Sequence, residues 1–274
     1  DEEFDKLIPV EFWREVVDTV AQRAPDTLLL AEAFWMMEGY FVRTLGMHRV
    51  YNSAFMNMLK REENAKYRET ITNVLDFDPQ ILKRFVNFMN NPDEDTAIAQ
   101  FGEGDKYFGT CAMMATLPGL PMLGHGQIEG FREKYGMEYA KAKFDEIPNG
   151  HVVYRHEQEI FPILHHRWMF SEVESFALYT LHNGYGFDED VFAYSNGIGS
   201  ERALFLFNNR DKHTRGRIHK STHRGTLAEE LGIDPAKGDW VVIRDLPHRI
   251  EYLRSAHEVL TEGVTWSLGP YEYH

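Results

Sequence analysis

The sequence Asp26-Thr27-Leu28-Leu29-Leu30-Ala31-Glu32-Ala33-Phe34-Trp35 follows a turn signal at Ala24-Pro25 and runs through three leucines to a lone carboxylate. A short apolar run bounded by a turn is typical of a fully buried strand in a parallel sheet. Glu32 stands where that strand ends, and α/β folds bind ligands at the C-terminal ends of their strands. Beside Phe34 and Trp35, Glu32 is predicted to be a general acid with a raised pKa. The alternative is an ordinary strand-end glutamate in a surface salt bridge.

The chain around this strand alternates between apolar strands and helical periodicity. Further strands are predicted at 48–56, 84–90 and 120–123, and helices at 8–24, 36–47, 57–82 (one or two helices), 104–117 and 160–181. This alternation predicts a parallel sheet with right-handed crossovers, an α/β fold class. It supplies about four βα units, whereas a closed (β/α)₈ barrel needs eight, so we expect the chain to be part of a larger structure.

The pattern changes near Gly184, where short alternating or apolar runs replace the helices. Strands are predicted at 191–195, 202–208, 240–243 and 264–268, with a hairpin signal at Asn196-Gly197-Ile198-Gly199 and a short helix at 227–231. Residues 187–274 are therefore predicted to form a second, all-β domain, separate from residues 1–186.

Composition excludes several classes of partner and compartment. The net charge of −14 argues against nucleic acid and anionic membranes as partners, and no apolar run approaches the ~20 residues of a membrane span. Cys111 is the single cysteine, so it cannot form an internal disulfide, and a reducing, cytoplasmic location is expected. His165-His166 lacks a third ligand at a suggestive spacing; we expect no metal and no cofactor.

Polar side chains follow three of the predicted strands. Glu32, Asp93 and the pair Gln127 and Glu129 should share one face, because strands of a parallel sheet point the same way. Two carboxyl groups with amides nearby are the pattern for acid-catalysed glycosyl transfer. Asp93 could instead be a turn or helix-cap residue, since Asn-Pro-Asp is turn chemistry, and Glu129 a solvated loop residue.

Three more residues are candidates for sugar contacts. Trp35 and Tyr51 could stack on sugar rings, and Asn90 could offer its amide to a sugar hydroxyl. A place in the core is the alternative for Tyr51, and a turn at the strand end is the alternative for Asn90.

Three stretches resemble motifs of the α-amylase superfamily (glycoside hydrolase family 13). The sequence Ala31-Glu32-Ala33-Phe34-Trp35 resembles the fifth-strand motif, whose Glu is the general acid/base. Phe88-Met89-Asn90-Asn91-Pro92-Asp93 resembles the seventh-strand motif, whose Asp stabilises the transition state, and Gly119 to Gly130 is similar to the eighth-strand region. The resemblance implies that residues 1–186 are the C-terminal half of a (β/α)₈ TIM barrel, and that residues 187–274 form a β-sandwich. It also implies Glu32 as acid/base, Asp93 as stabiliser, and an α-glucan or maltooligosaccharide as substrate.

The sequence departs from the family pattern at two points. The family nucleophile is an Asp in a Gly-Phe-Arg-x-Asp type motif at the end of the fourth strand, and no such motif occurs here. We therefore expect this chain alone to be inactive, with the N-terminal barrel half supplied by the same or a separate polypeptide. Pro92 replaces the usual His of Asn-His-Asp, a variant that resembles the maltosyltransferase branch using maltose 1-phosphate. A retaining α-1,4-glucan hydrolase, a maltosyl or glucosyl transferase, and a non-catalytic glucan-binding scaffold all remain open, as does an unrelated four-stranded α/β domain.

Overall fold

The computed structural model describes residues 6–33, 37–134 and 140–274, so predictions made for Phe34 and Trp35 lie outside the described residues. The helices are α1 (Phe12–Arg23), α2 (Ser53–Lys60), α3 (Asn64–Phe77), α4 (Ala97–Phe101), α5 (Asp105–Thr116), α6 (Gly150–Arg155), α7 (Phe161–His165), α8 (Leu227–Glu230) and α9 (Ala256–Glu262). Short 3₁₀ or π-helical turns cover Tyr40–Thr44, Pro79–Arg84, His156–Ile160 and Arg167–Met169. Within the described ranges, no helix combines the length and the apolar character that a membrane crossing requires.

The first part of the chain is built on a four-stranded parallel sheet. Its strands are β1 (Leu30–Ala31), β2 (Arg49–Tyr51), β3 (Phe85–Phe88) and β4 (Leu120–Met122). They lie in chain order, β1-β2-β3-β4, with every neighbouring pair parallel. Helices α2 and α3 connect β2 to β3, and α4 and α5 connect β3 to β4. The prediction of a parallel α/β sheet is confirmed.

The prediction that the leucine strand is fully buried is wrong for this chain. Leu28 is 54% exposed and Leu30 is 39% exposed, whereas Ala31 on the opposite side of the strand is buried. The reason is position, because β1 is the edge strand of the four-stranded sheet and pairs on one side with β2. A buried strand also needs cover on both faces, and the described residues do not cover the face that carries Leu28 and Leu30.

The predicted strand at 48–56 ends at Tyr51, and helix α2 begins two residues later. Asn52 causes the change, because its Oδ1 accepts a hydrogen bond from the Phe55 amide at 3.3 Å and so caps the helix. The other end of the same buried side chain donates from Nδ2 to Asn87 Oδ1 on β3 at 2.9 Å. One asparagine thus ends β2, starts α2 and ties both to the neighbouring strand.

The second part of the chain is antiparallel. Its strands are β5 (Ala177–His182), β6 (Phe187–Ile198), β7 (Glu201–Asn208), β8 (Thr214–Ile218), β9 (Trp240–Asp245), β10 (Ile250–Ser255) and β11 (Val264–Leu268). Five of them form one sheet in the order β11-β8-β5-β6-β7, and β9 and β10 form a separate hairpin. The β-sandwich stays a prediction, because the described residues contain one five-stranded sheet and this two-stranded hairpin.

The predicted helix at 160–181 is wrong in its second half. Helix α7 ends at His165, and residues 177–182 form β5, which pairs antiparallel with β6 through Leu178 and Tyr194. An apolar run suits a buried strand as well as a buried helix, and pairing with β6 decides between them.

One hydrophobic core cluster spans the two parts, and a second lies within the antiparallel part. Helix α5 is buried from Tyr107 to its end at Thr116, and its Gly109 faces the fully buried ring of Phe207 on β7. Arg68 of α3 reaches across the same junction and donates to the carbonyls of Val191 at 2.6 Å and Tyr179 at 2.8 Å. These carbonyls lie beside a register shift between β5 and β6, where a bulge interrupts the strand ladder. The guanidinium therefore satisfies backbone groups of the irregular sheet and ties it to the parallel sheet.

Candidate active site

The C-terminal ends of the four parallel strands form one rim. Glu32 follows β1, Tyr51 ends β2, the Asn90–Asp93 segment follows β3, and the loop from Gly124 follows β4. Adjacent parallel strands in register, such as Ala31 opposite Val50 and Phe88 opposite Met122, bring these ends to the same edge. The structure therefore brings together the strand ends on which the sequence places its candidates.

Tyr51 ends β2, the strand that lies between β1 and β3 in the sheet. Burial raises the pKa of Tyr51, and the negative charges of Glu32 and Asp93 raise it further. The Tyr51 ring packs on Phe88 with ring centroids 5.0 Å apart. Tyr51 is half-buried, so its ring is partly in the core and partly open at the rim.

Glu32 is exposed at the rim, whereas the sequence predicts a buried acid. Its position at the edge strand β1 accounts for this exposure, because the side of β1 away from β2 has no strand among the described residues. Phe34 and Trp35, which the prediction placed against the carboxyl group, lie outside the described residues. The predicted stacking role of Trp35 stays a prediction for the same reason.

The segment after β3 is a turn held by Asn91. Its Oδ1 accepts hydrogen bonds from the amides of Asp93 and Glu94, both at 3.0 Å. Pro92 lies in the bend between Asn91 and Asp93. Lys134 donates from Nζ to the Asp93 carbonyl at 2.6 Å. The turn chemistry that the sequence indicated is therefore carried by Asn91. Asp93 presents an exposed carboxylate, and no side chain or amide in the described ranges donates a hydrogen bond to it.

Asn90 lies below this turn and is 5% exposed. Its Oδ1 is buried and has no hydrogen-bond partner among the described residues. The side chain packs directly on Gly124, where an added Cβ would lie 2.3 Å from Oδ1. Asn90 also lines a small pocket with Asn91, Pro92 and His125. An unsatisfied amide oxygen beside a pocket is suited to accept a hydrogen bond from a polar ligand.

Gln127 and Glu129 differ in their surroundings. Gln127 is buried, and its Oε1 accepts from the Gly124 amide at 3.0 Å while its backbone carbonyl accepts from the Tyr107 hydroxyl at 2.7 Å. The Gln127 amide therefore holds the loop after β4. Glu129 is half-buried, and its carbonyl accepts from the Asn149 amide at 2.8 Å. A sugar contact from either residue stays a prediction.

Two residues of the site were not among the sequence candidates. Asn91 could have been found from the Asn-Pro-Asp turn signal, which favours an asparagine cap. His125 stands between two glycines, but nothing in the sequence indicates that it lines the same pocket as Asn90.

No protein-family model matches the chain, and no curated protein matches it in sequence. Solved structures do match. A maltogenic α-amylase from Thermotoga neapolitana superposes with a TM-score of 0.61 at 13% identity, over 96% of this chain and 57% of that one. The α-amylase of Geobacillus thermoleovorans gives 0.65 at 12% identity, over 96% and 55%. A cyclic α-maltosyl-(1→6)-maltose hydrolase from Arthrobacter globiformis gives 0.61 at 16% identity, over 96% and 52%.

The chain has the fold of the C-terminal part of α-amylases. It spans about half the length of the solved structures it matches. In this amylase fold, the rim of Glu32, Tyr51 and Asp93 lies at the strand ends, where α/β folds place their chemistry. The prediction of an amylase-type fold is confirmed, while the roles of individual residues stay predictions.

Proposed function

We propose that the chain is part of a retaining enzyme of the α-amylase family that acts on α-1,4-linked glucans or maltooligosaccharides. The observation that carries the proposal is the placement of Glu32, Tyr51 and Asp93 at the carboxyl ends of three adjacent strands of a parallel sheet with the amylase fold. Cleavage of a glycosidic bond with retention uses two carboxyl groups at one substrate site, one as nucleophile and one as acid/base.

Each carboxyl group has a distinct role in this proposal. Glu32 protonates the leaving glycosidic oxygen and, in the second step, takes a proton from the attacking water. Asp93 stabilises the positive charge that develops on the sugar ring, and its carboxylate has no competing donor among the described residues. The nucleophile comes from a carboxylate outside the 274 residues, on the same or a separate polypeptide. Cys111 is the single cysteine and has no partner for an internal disulfide, and on this basis we place the enzyme in a reducing, cytoplasmic compartment.

Asn90 and Tyr51 contribute the sugar contacts that the geometry favours. The buried, unpartnered Oδ1 of Asn90 accepts from a sugar hydroxyl, and the partly open ring of Tyr51 packs on a sugar face. Trp35, Gln127 and Glu129 complete the proposed binding set, with Gln127 acting through the loop that it holds.

Two alternative functions are each favoured by one observation. Pro92 stands in the turn beside Asp93, as in the sequence variant that resembles the maltosyltransferase branch, and favours a transferase in which an acceptor sugar replaces water. The exposure of Glu32 favours a non-catalytic glucan-binding scaffold, because a general acid normally gains its raised pKa from burial.

The test is Glu32→Gln in the enzyme assembled with its nucleophile-bearing half. The amide keeps the shape and removes the proton, so turnover of maltooligosaccharides should fall by about 10²–10⁴-fold. An α-glycosyl fluoride needs little acid assistance, so its first step should largely survive and the covalent intermediate should accumulate. Glu69→Gln, an exposed glutamate on α3, is the matched control and should leave both rates unchanged.

The outcomes separate the candidates. Equal losses on both donors would remove Glu32 from the acid role, and unchanged turnover would make it a salt-bridge residue. Glucan binding by the wild-type assembly without any turnover would establish the scaffold. Sugar products longer than the substrate would establish the transferase.

A further inference from the structure

A second polar cluster lies in the antiparallel part, on elements that carry none of the rim residues. Asp245 ends β9, His248 lies in the turn to β10, and His274 follows β11. Asp245 Oδ2 is 3.0 Å from His248 Nδ1 and 2.6 Å from His274 Nδ1. One ligand atom from each of the three residues lies within 4.8 Å of the other two.

Asp245 is buried and incompletely satisfied. It is 5% exposed, and its Oδ1 has no hydrogen-bond partner among the described residues, while both histidines approach Oδ2. Burying a carboxylate is costly unless a compensating charge or a full set of donors accompanies it. The cluster therefore has a free carboxylate oxygen at the point where positive charge is required.

Glu272 orients His274 toward this carboxylate. Its Oε1 lies 3.2 Å from His274 Nε2, and its Oε2 accepts from the Gly269 amide at 2.5 Å. The His274 ring also packs near Trp266 and His248, with centroid distances of 5.4 and 4.6 Å. A carboxylate that accepts from one ring nitrogen leaves the other nitrogen as a lone-pair donor, which is how metal-binding histidines are held in proteins.

The short contact between His274 Nδ1 and Asp245 Oδ2 requires positive charge, which either a protonated ring or a bound metal ion supplies. When Nε2 donates to Glu272, a neutral ring directs the Nδ1 lone pair at Oδ2, and two acceptors 2.6 Å apart repel. His248 Nδ1 approaches the same oxygen from the more exposed side. A metal ion bound by these three atoms removes the repulsion and also neutralises the buried charge.

We propose that Asp245, His248 and His274 bind one divalent transition-metal ion, with Zn²⁺ as the best match. Two imidazole nitrogens and a carboxylate oxygen are ligands that Zn²⁺ accepts, whereas Ca²⁺ and Mg²⁺ prefer sites made of oxygens. The partly exposed side of His248 leaves a fourth position for water. The ion joins the β9–β10 turn to the segment after β11 and so fastens the hairpin to the five-stranded sheet. The sequence analysis did not single out this set, because His274 lies 29 residues from Asp245 along the chain.

The test is calorimetric titration of the untagged, chelator-stripped protein with ZnCl₂. We expect one saturable site, with Mg²⁺ and Ca²⁺ giving no saturable binding under the same conditions. Glu272→Gln should weaken Zn²⁺ binding by about 10–100-fold, and His248→Ala should weaken it more, because it removes a ligand. His248 is preferred to Asp245 as the main variant because it lies in a partly exposed turn, where substitution leaves the core intact. His257→Ala on α9, an exposed histidine outside the cluster, is the matched control.

A second readout identifies the ligands directly. Co²⁺ substituted at one equivalent should give visible absorption bands of a four- or five-coordinate site, and these should disappear in His248→Ala. Absence of saturable Zn²⁺ binding, or an affinity unchanged by His248→Ala, would overturn the proposal. The cluster would then be held together by hydrogen bonds between the histidines and Asp245. Neither measurement depends on activity at the rim, so the glucan proposal can fail while this one stands.

Discussion

Gly109 lets helix α5 approach strand β7, and replacing it by alanine should destabilise the protein. An added Cβ would lie 2.2 Å from Phe207 Cε2 and 2.6 Å from Cδ2. Ordinary contact begins at 3.4 Å, so the ring would have to move by roughly 1.2 Å. Phe207 is fully buried between the two parts of the chain and has no open space to move into.

The magnitude follows from two opposing terms. Overpacking a core costs about 1–3 kcal/mol, while Gly→Ala within a helix gains up to about 1 kcal/mol from backbone propensity. The contact is far shorter than the closest normal one, so overpacking wins, and we expect Gly109→Ala to lower the free energy of unfolding by about 1–2 kcal/mol. Urea unfolding followed by circular dichroism measures this as a lower midpoint with an unchanged slope.

Two variants provide the controls. Gly150→Ala makes the same chemical change at the first residue of α6, where nothing lies within 4 Å of the added Cβ, and should be neutral or slightly stabilising. Phe207→Leu removes part of the obstructing ring, so Gly109→Ala should cost less in that background than in the wild type. A Gly109→Ala protein at least as stable as the wild type, or a cost that Phe207→Leu leaves unchanged, would refute the reasoning.

Two further predictions concern the junction between the two parts. Arg68→Met leaves the Val191 and Tyr179 carbonyls without their donor. This cost exceeds the gain from no longer burying the guanidinium, whose pKa burial lowers to about 10. We expect urea unfolding to show a free energy of unfolding lower by about 2 kcal/mol, and equal stability would contradict the prediction. Burial alone would raise the pKa of Glu62, but hydrogen bonds from Lys106 and Tyr271 hold it below 4.5. The stabilisation from this lowered pKa is complete above about pH 4.5 and is lost as the pH falls through the pKa of the folded protein. Glu62→Gln should therefore lower the free energy of unfolding by about 1–3 kcal/mol at pH 7 and by progressively less below about pH 4.5. Urea unfolding at several pH values measures this difference.

Much of the architecture follows from local patterns. The helix predicted at 104–117 is found as α5, and the strand predicted at 264–268 is found as β11 with the same bounds. The sequence predicts these elements correctly because the spacing of their apolar residues follows the period of a helix or of an extended strand. The hairpin signal is confirmed with a shift, since the turn lies at Gly199 and Ser200 and β6 continues to Ile198.

The catalytic hypothesis was also accessible from sequence, because it rests on which polar residues follow which strands. Glu32 comes directly after an apolar run and Asp93 comes after one with a short turn between them, and in a parallel sheet that placement alone predicts a common edge. Burial at that edge was not accessible in this way. Whether the leucines beside Glu32 are covered depends on what pairs with the far side of β1, which no property of residues 26–35 specifies.

The sequence by itself determined the parallel α/β order and the strand-end carboxylates, because these are carried by neighbours along the chain. It placed the change to antiparallel structure near Gly184, whereas the antiparallel sheet already begins with β5 at Ala177. Tertiary structure decided that 177–182 is a strand, that Arg68 satisfies the bulged sheet, and that Asp245, His248 and His274 meet at one point. Such contacts join residues far apart in sequence. Their formation depends on the pairing and packing of whole elements, whose free energy is not contained in any local pattern.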